Sequence, residues 1–281
     1  MKLNFFTPEE ILEVNLNSGD GKTKHPILKL MLLGILAGAF VALGAIASSI
    51  AMQGIEHFGT ARLVAGCIFP VGLMMITFVG GELFTSSCMM VAGVLDKRFG
   101  VYTMMRTLAY LYVSNFIGAS IIAILVYYSG VFDYSNGAIG AFAISTAYAK
   151  SNISPVAAVC SGILCNILVC IATLKATASK DVVGKIWAIF FPILLFVICG
   201  FEHCVANMYY IVVGILATTN EKYMSMAQSL YGLTADSIKE SVNVLGFISN
   251  QIPVTIGNVI GGMVFVAIPL YVIHKSKLCN N

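Results

Sequence analysis

Charged residues are scarce in this sequence, in which Asp, Glu, Lys and Arg make up only 10% and hydrophobic residues 58%. The mean hydropathy of +0.90 is far above what a soluble domain of 281 residues requires. The apolar runs are long enough to cross the ~30 Å core of a bilayer as helices, and they lack the polar and apolar alternation of a membrane β-strand. The sequence therefore predicts an all-α integral membrane protein with several spans.

The N-terminal segment lacks an apolar core that ends in small residues, so we expect no cleaved signal peptide. Residues 1–26 are polar, and the stretch TPEEILEVNLNSG offers a threonine N-cap followed by a proline and acidic residues. We predict a short amphipathic helix on the cytoplasmic membrane surface, followed by a channel domain over residues 27–281.

Six membrane spans are predicted, the third being followed by a polar external connection. The spans cover about residues 26–52, 63–95, 107–131, 155–176, 186–217 and 241–273, and the last is long enough to contain a break at Pro253 or to tilt. With six spans both termini lie on one side, which then carries twelve of the sixteen Lys and Arg residues. Loops rich in Lys and Arg stay on the cytoplasmic side of a membrane. Both termini are therefore predicted in the cytoplasm, in a multi-pass protein of the bacterial inner membrane.

Cysteines fall in or beside the apolar runs, where cysteine usually behaves as a small hydrophobic residue. The spacing of Cys160, Cys165 and Cys170 spreads these residues around a helix, unlike the tight spacing of metal ligands. We expect no metal, no cofactor and no nucleic-acid partner.

Two glutamates stand beside glycine inside apolar runs, Glu82 in GGELFTSS and Glu202 in GFEHCVANM. A charge in hydrocarbon costs roughly 2.5 kcal/mol or more, so such residues face protein or a water-filled cavity. We interpret both stretches as breaks in spans two and five. The glutamates are expected to accept hydrogen bonds from backbone donors freed at the breaks, with a proton relay as the alternative.

The two halves of the chain, residues 27–131 and 155–273, repeat the same order of features. GILAGAFVALGA matches GILCNILVCIA, Phe-Pro recurs in spans two and five, the glutamates correspond, and NFIGAS with Asn115 matches NVIGGM with Asn258. Three spans per half make the repeat inverted. Inverted repeats with broken helices place the site near the middle of the membrane, where positive helix N-termini suit an anion. The predicted protomer is aquaporin-like, and both asparagines are assigned to the structure of the breaks.

These motifs resemble the formate/nitrite transporter family. FPVGLMMITFVGGELFTSS, GILCNILVCIA and GFEHCVANM carry the resemblance, which covers nearly the whole chain. It implies a pentamer with one pore in each protomer. Within the family the chain looks most like the hydrosulfide channel branch of anaerobic bacteria.

The resemblance also implies roles for individual residues. His203 would be the central pore histidine, and Thr85 and Asn166 would orient it and line the chamber between the constrictions. Lys150 would attract anions to the external vestibule. The apolar constrictions would consist of Phe69, Leu73, Leu83, Phe84, Val169 and Phe196.

We interpret the protein as a passive or proton-coupled channel for small monovalent anions, most of all hydrosulfide, with a formate or nitrite channel or proton-coupled transporter as the alternative. The LFTSS break and Cys204 after His203 depart from the patterns of nitrite and formate members. One rival is a membrane enzyme that pairs His203 with a cysteine nucleophile, although no second catalytic histidine is evident. Another is a neutral-solute pore of the aquaporin type, which usually carries paired NPA motifs that this chain lacks.

Overall fold

The computed structural model describes residues 4–275, and within that range the fold is all-helical. The helices are α1 Pro8–Lys24, α2 Ile27–Met52, α3 Phe58–Ile68, α4 Val71–Val79, α5 Phe84–Ser87, α6 Val91–Leu95, α7 Val101–Tyr128, α8 Tyr134–Ser151, α9 Pro155–Ala178, α10 Val182–Cys199, α11 Cys204–Ala217, α12 Glu221–Tyr231, α13 Ala235–Ser241, α14 Val244–Gly262 and α15 Ile268–His274.

Six helical segments are long and apolar enough to cross a membrane, as the sequence predicts. They are Ile27–Met52, Phe58–Val79, Val101–Tyr128, Pro155–Ala178, Val182–Cys199 and Val244–His274. The second and fifth continue after their breaks as the shorter apolar helices Phe84–Leu95 and Cys204–Ala217. Gly80 and Gly200 end the first part of each broken span with φ of 101° and 70°, a conformation that residues with a side chain rarely adopt. The all-α fold with two broken spans is confirmed.

Spans one and three cross closely at glycine. A Cβ on Gly38 would lie 2.0 Å from the carbonyl oxygen of Asn115, and one on Gly118 would lie 2.0 Å from that of Ile35. In the other half, Gly257 approaches the carbonyl oxygen of Val159 in the same way, at 2.3 Å. Small residues thus let the backbones of each span pair approach each other directly.

Two details differ from the sequence prediction. The segment 132–154, predicted as a polar connection, is mostly the helix α8, and its small residues are buried against α11 and α12. The last span does not break at Pro253, which lies inside α14, but contains a π-helical turn over Met263–Ala267. A π-turn absorbs an extra residue without ending the helix.

The predicted N-terminal amphipathic helix is α1, which begins with a capping box between Thr7 and Glu10. Its Leu12 and Leu16 are buried against Met89 and Ala267. We call this side of the bundle the terminal side, and the side that carries residues 53–57 and 218–243 the opposite side.

An ion-pair network joins α1 to the rest of the terminal side. Glu13 pairs with Arg98 and, at 2.9 Å, with Lys275, while Arg98 also donates to Asn17 at 2.6 Å and to Asp96 at 2.8 Å. The hydrogen bonds from Arg98 and Lys275 lower the pKa of Glu13 below its ordinary value of 4.5. A carboxylate with a lowered pKa stabilises the docked helix above its ordinary pKa and loses that effect as the pH falls through the lowered value.

We predict that Arg98→Ala speeds amide hydrogen exchange in residues 8–24 at neutral pH, because α1 loses ion pairs that hold it to the bundle. In the unaltered protein, the same exchange should speed up as the pH falls below about 4.5, after correction for the intrinsic rate. Lys24→Ala is the control, since Lys24 pairs with Asp20 inside α1. Equal protection of α1 in the Arg98 variant and the unaltered protein would contradict the prediction.

Candidate functional site: helix breaks, a buried histidine and two cavities

The break in span two is held by Asn115 of span three. The Oδ1 atom of Asn115 accepts the amide of Phe84 at 2.8 Å, and its Nδ2 donates to the carbonyls of Gly34 at 2.8 Å and Glu82 at 3.0 Å. One buried amide side chain thus satisfies backbone donors and acceptors that lipid cannot satisfy.

Asn258 of span six holds the break in span five with the same geometry. Its Oδ1 accepts the amide of Cys204 at 2.9 Å, and its Nδ2 donates to Gly162 at 2.8 Å and Glu202 at 3.0 Å. Gly34 and Gly162 are the first glycines of the two repeated GIL motifs. The matching contacts show that the sequence repeat is also a structural repeat.

The two glutamates do not have the hydrogen-bond partners that were predicted for them, so that prediction is wrong. We expected Glu82 and Glu202 to accept backbone amides at the breaks, but in the described residues the asparagines do so and both carboxylates pair with lysines. Glu202 Oε1 lies 2.8 Å from Lys150 Nζ, and Glu202 Oε2 accepts Asn207 Nδ2 at 2.6 Å. A buried carboxylate requires a cation that compensates its charge, whereas a neutral backbone amide requires only a hydrogen-bond acceptor such as an asparagine oxygen.

Glu82 has a corresponding partner, Lys22 of α1, at 2.7 Å. Lys22 Nζ also donates to Ser87 Oγ at 3.0 Å. Sequence reasoning missed this pair because it assigned α1 to the membrane surface. A signal was present, since Lys22 and Lys150 each lie five residues before the first span of their half, at Ile27 and Pro155. Each half therefore consists of a preceding helix, α1 or α8, and three spans.

His203 lies at the start of α11 and contacts Thr85 of the other half. Its Nε2 lies 2.9 Å from Thr85 Oγ1, and its Nδ1 accepts the amide of Ala206 at 3.1 Å as the cap of the helix. Since Nδ1 accepts, the proton of the neutral ring is on Nε2, which donates to Thr85. The hydroxyl hydrogen of Thr85 is then free to donate to a third group.

Asn166 binds the backbone of α5 at Thr85 rather than the histidine ring. Its Nδ2 donates to the carbonyls of Thr85 at 3.0 Å and Asn258 at 2.6 Å. It therefore links α5 to span six, and its hydrogen bonds reach His203 through Thr85 and the Asn258 that holds the break in span five.

Two cavities lie beside the broken spans. The opposite cavity, of about 340 Å³, is lined by Lys150, Glu202, His203 and Asn207, among others. The terminal cavity, of about 380 Å³, is lined by Lys22, Glu82 and Ser86, the residue after Thr85. His203 thus lines the opposite cavity, and its partner Thr85 is the chain neighbour of a residue in the wall of the terminal cavity.

A sequence model of the family described as "Formate/nitrite transporter" matches residues 9–272. The chain belongs to the formate/nitrite transporter family. It is 35% identical to a probable formate transporter of Methanothermobacter thermautotrophicus, with 95% of this chain and 96% of the relative covered. It is also 35% identical to the formate channel FocA of Haemophilus influenzae, over 93% of this chain and 92% of that one.

This chain has the same fold as a solved structure described as a pentameric formate channel with formate bound. That structure superposes with a TM-score of 0.78 at 29% identity and covers 89% of this chain and 98% of its own. A second structure, an FNT family ion channel, gives 0.78 at 25% identity and covers 93% and 97%. These relatives are described as channels and transporters, and none of the descriptions indicates an enzyme.

The residues predicted as constrictions are all buried, and three of the six line a cavity. Phe69 and Phe196 pack edge to face, with ring centroids 5.4 Å apart, and both line the opposite cavity. Leu73, four residues after Phe69, lines the terminal cavity, so span two contributes to the walls of both cavities. The remaining predicted residues are buried in the core, and they are Leu83, Phe84 and Val169.

The histidine–cysteine pair of the rival enzyme interpretation does not occur at His203, whose two ring nitrogens contact Thr85 and Ala206. Among the described residues, no group of three or more His, Cys, Asp or Glu side chains could hold a metal ion.

We predict that Asn258→Leu destabilises the protein, because it leaves the buried amide of Cys204 without a partner and removes the hydrogen bonds to the carbonyls of Gly162 and Glu202. Each unsatisfied buried group costs about 1–3 kcal/mol. Thermal unfolding in detergent measures the effect. Asn152→Leu is the control, since Asn152 lies on the surface and its amide binds only the end of its own helix and Ser241. Equal melting temperatures for the two variants would contradict the role of Asn258.

We predict that Lys150→Met is more destabilising than the double variant Lys150→Met/Glu202→Gln. The single change leaves a carboxylate whose side chain is only 9% exposed without its cation, which costs about 3–5 kcal/mol in buried pairs, whereas the double change removes both charges. Lys222→Met is the control, because the Lys222–Asp133 pair is about half exposed. A single variant as stable as the double one would rule out charge compensation by Lys150.

Proposed function

We propose that this protein is a channel for small monovalent anions of weak acids and that formate is the first substrate to test. The observation that carries the proposal is the buried contact between Thr85 and His203, in which His203 lines the opposite cavity and Thr85 is the chain neighbour of Ser86 in the terminal cavity. The names of the relatives support formate.

Hydrosulfide is the second candidate. The residues that favour it are the LFTSS break and Cys204 beside His203, which depart from the patterns of formate and nitrite members. Dihydrogen sulfide ionises near neutral pH, so its anion is abundant in a cell and can accept a proton from a histidine. Nitrite has the same charge and a similar size, and it is the third anion to compare.

The donors in the middle of the protein suit this task. Thr85, with His203 bound to its oxygen, has a hydroxyl hydrogen left to donate to an anion, and apolar rings flank the site. An anion would exchange water for this hydrogen bond, and the apolar constrictions would exclude larger and more strongly hydrated ions.

The assembly and location are also proposed. The pentameric structure of a relative supports a homopentamer with one pore in each protomer. Large apolar side chains exposed on the outer faces of the spans, such as Leu28, Trp187 and Leu245, would contact lipid or neighbouring subunits. The excess of Lys and Arg on the terminal side supports termini in the cytoplasm of an inner membrane.

Anion flux into proteoliposomes tests the proposal, with formate, nitrite, hydrosulfide and chloride compared under one gradient. We expect the three weak-acid anions to pass faster than chloride, since chloride cannot take up a proton. Flux of none of them above that of empty liposomes would reject a channel function.

The role of His203 is tested by the pH dependence of flux in His203→Asn. If the histidine passes a proton to the anion, the variant should keep a pore but lose the pH dependence that weak-acid anions show in the unaltered protein. Chloride flux, which needs no proton, is the control. Identical pH profiles in both proteins would rule out His203 as the proton donor and leave it a hydrogen-bond donor only.

A further inference from the structure

Each cavity contains two cations and one carboxylate among its described lining residues. The opposite cavity has Lys150, Arg62 and Glu202, and the terminal cavity has Lys22, Lys185 and Glu82. In both, one lysine is paired with the glutamate, at 2.8 Å and 2.7 Å. An ion pair has no net charge, so each cavity has one surplus positive charge, on Arg62 or on Lys185.

Neither surplus cation is neutralised by a carboxylate. Among the described residues, no ion pair or side-chain hydrogen bond involves Arg62 or Lys185. The guanidinium of Arg62 instead lies over the ring of Phe58, 5.4 Å from its centroid. A cation–π contact holds a cation in place without cancelling its charge.

Arg62 also lies close to the break in span five. A Cβ on Gly200 would lie 3.1 Å from its Nη2 atom, and Gly200 stands two residues before Glu202. The guanidinium is therefore part of the wall of the opposite cavity, beside the break in span five. Both Arg62 and Lys185 lie on the first helix of a broken span, α3 or α10, so the arrangement follows the inverted repeat.

We infer that Arg62 and Lys185 are the residues that draw anions into the two cavities, one on each side of the membrane, while Lys150 and Lys22 chiefly compensate the buried glutamates. This deepens the proposed function and rests on it for its biological meaning. A cleft with low-dielectric walls concentrates the field of a surplus charge and raises the local concentration of the opposite ion. The inference reassigns the attracting role that the family resemblance implied for Lys150.

The charge in each cavity can be measured without transport. Ala149→Cys places a thiol in the wall of the opposite cavity, and Ser18→Cys places one in the terminal cavity. The background has Ser at the exposed Cys67, Cys160 and Cys199 and at Cys279. The readout is the ratio of modification rates by an anionic and a cationic methanethiosulfonate reagent of similar size.

We expect Arg62→Gln to lower this ratio about two- to tenfold for the thiol in the opposite cavity and to leave it unchanged for the thiol in the terminal cavity, at an ionic strength of about 0.01 M. Lys185→Gln should do the reverse. At about 1 M, where the Debye length is about 3 Å, the differences should largely vanish. Arg62→Lys should keep the ratio, because it keeps the charge. Lys239→Gln and Arg106→Gln are the controls, since both side chains are exposed cations outside the cavities.

Ratios that do not change in Arg62→Gln and Lys185→Gln would overturn the inference, as would equal effects of the control variants. Formate flux is measured on the same variants, where a rise of about two- to tenfold in the half-saturating concentration at low ionic strength is expected. If the unaltered protein passes no anion while the ratios change as expected, the proposed function fails and the charge assignment stands.

Discussion

Backbone groups at a helix break inside a membrane find no water to bind, and this constraint organises the fold. Asn115 and Asn258 meet it, each with one accepted amide and two donated hydrogen bonds. Because each asparagine lies on the third span of a half and binds the first span and the break, it fixes three spans at once. Without this contact the breaks would leave unpaired polar groups in the interior.

The second requirement is that buried negative charge be compensated. Glu82 and Glu202 lie where a lone carboxylate would be unstable, so each needs a cation from another element. The helices that precede the two halves supply Lys22 and Lys150. This explains why α1 belongs to the channel rather than to the membrane surface alone, and why α8 is buried in the bundle. Among the described residues of each cavity, the cation without a carboxylate partner lies on the first helix of a broken span, Arg62 on α3 and Lys185 on α10.

The centre of the protein is where the two halves differ. His203 caps α11 with one ring nitrogen and reaches Thr85 with the other, whereas the corresponding residue of the first half, Leu83, offers no side-chain cap. The fold thus builds one polar contact from a repeat that is otherwise symmetric, and Asn166 keeps Thr85 in place through its carbonyl. Anion selection would depend on this asymmetric contact.

Span length, glycine breaks and the excess of lysine on one side are local properties, so the six spans, both breaks and the repeat could be predicted from the sequence. The helix α8 could not, since its small residues show no strong periodicity and become buried only against α11 and α12. Glu82 and Lys22 are 60 residues apart in the chain, and Thr85 and His203 are 118 apart, so no local pattern states that they meet. The sequence by itself determined which polar residues must be satisfied in a membrane interior. Only the packing of the two halves decided that asparagines bind the backbone and that lysines bind the glutamates. It also decided that Arg62 has no carboxylate partner among the described residues, because hydrogen bonds and ion pairs depend on positions in space.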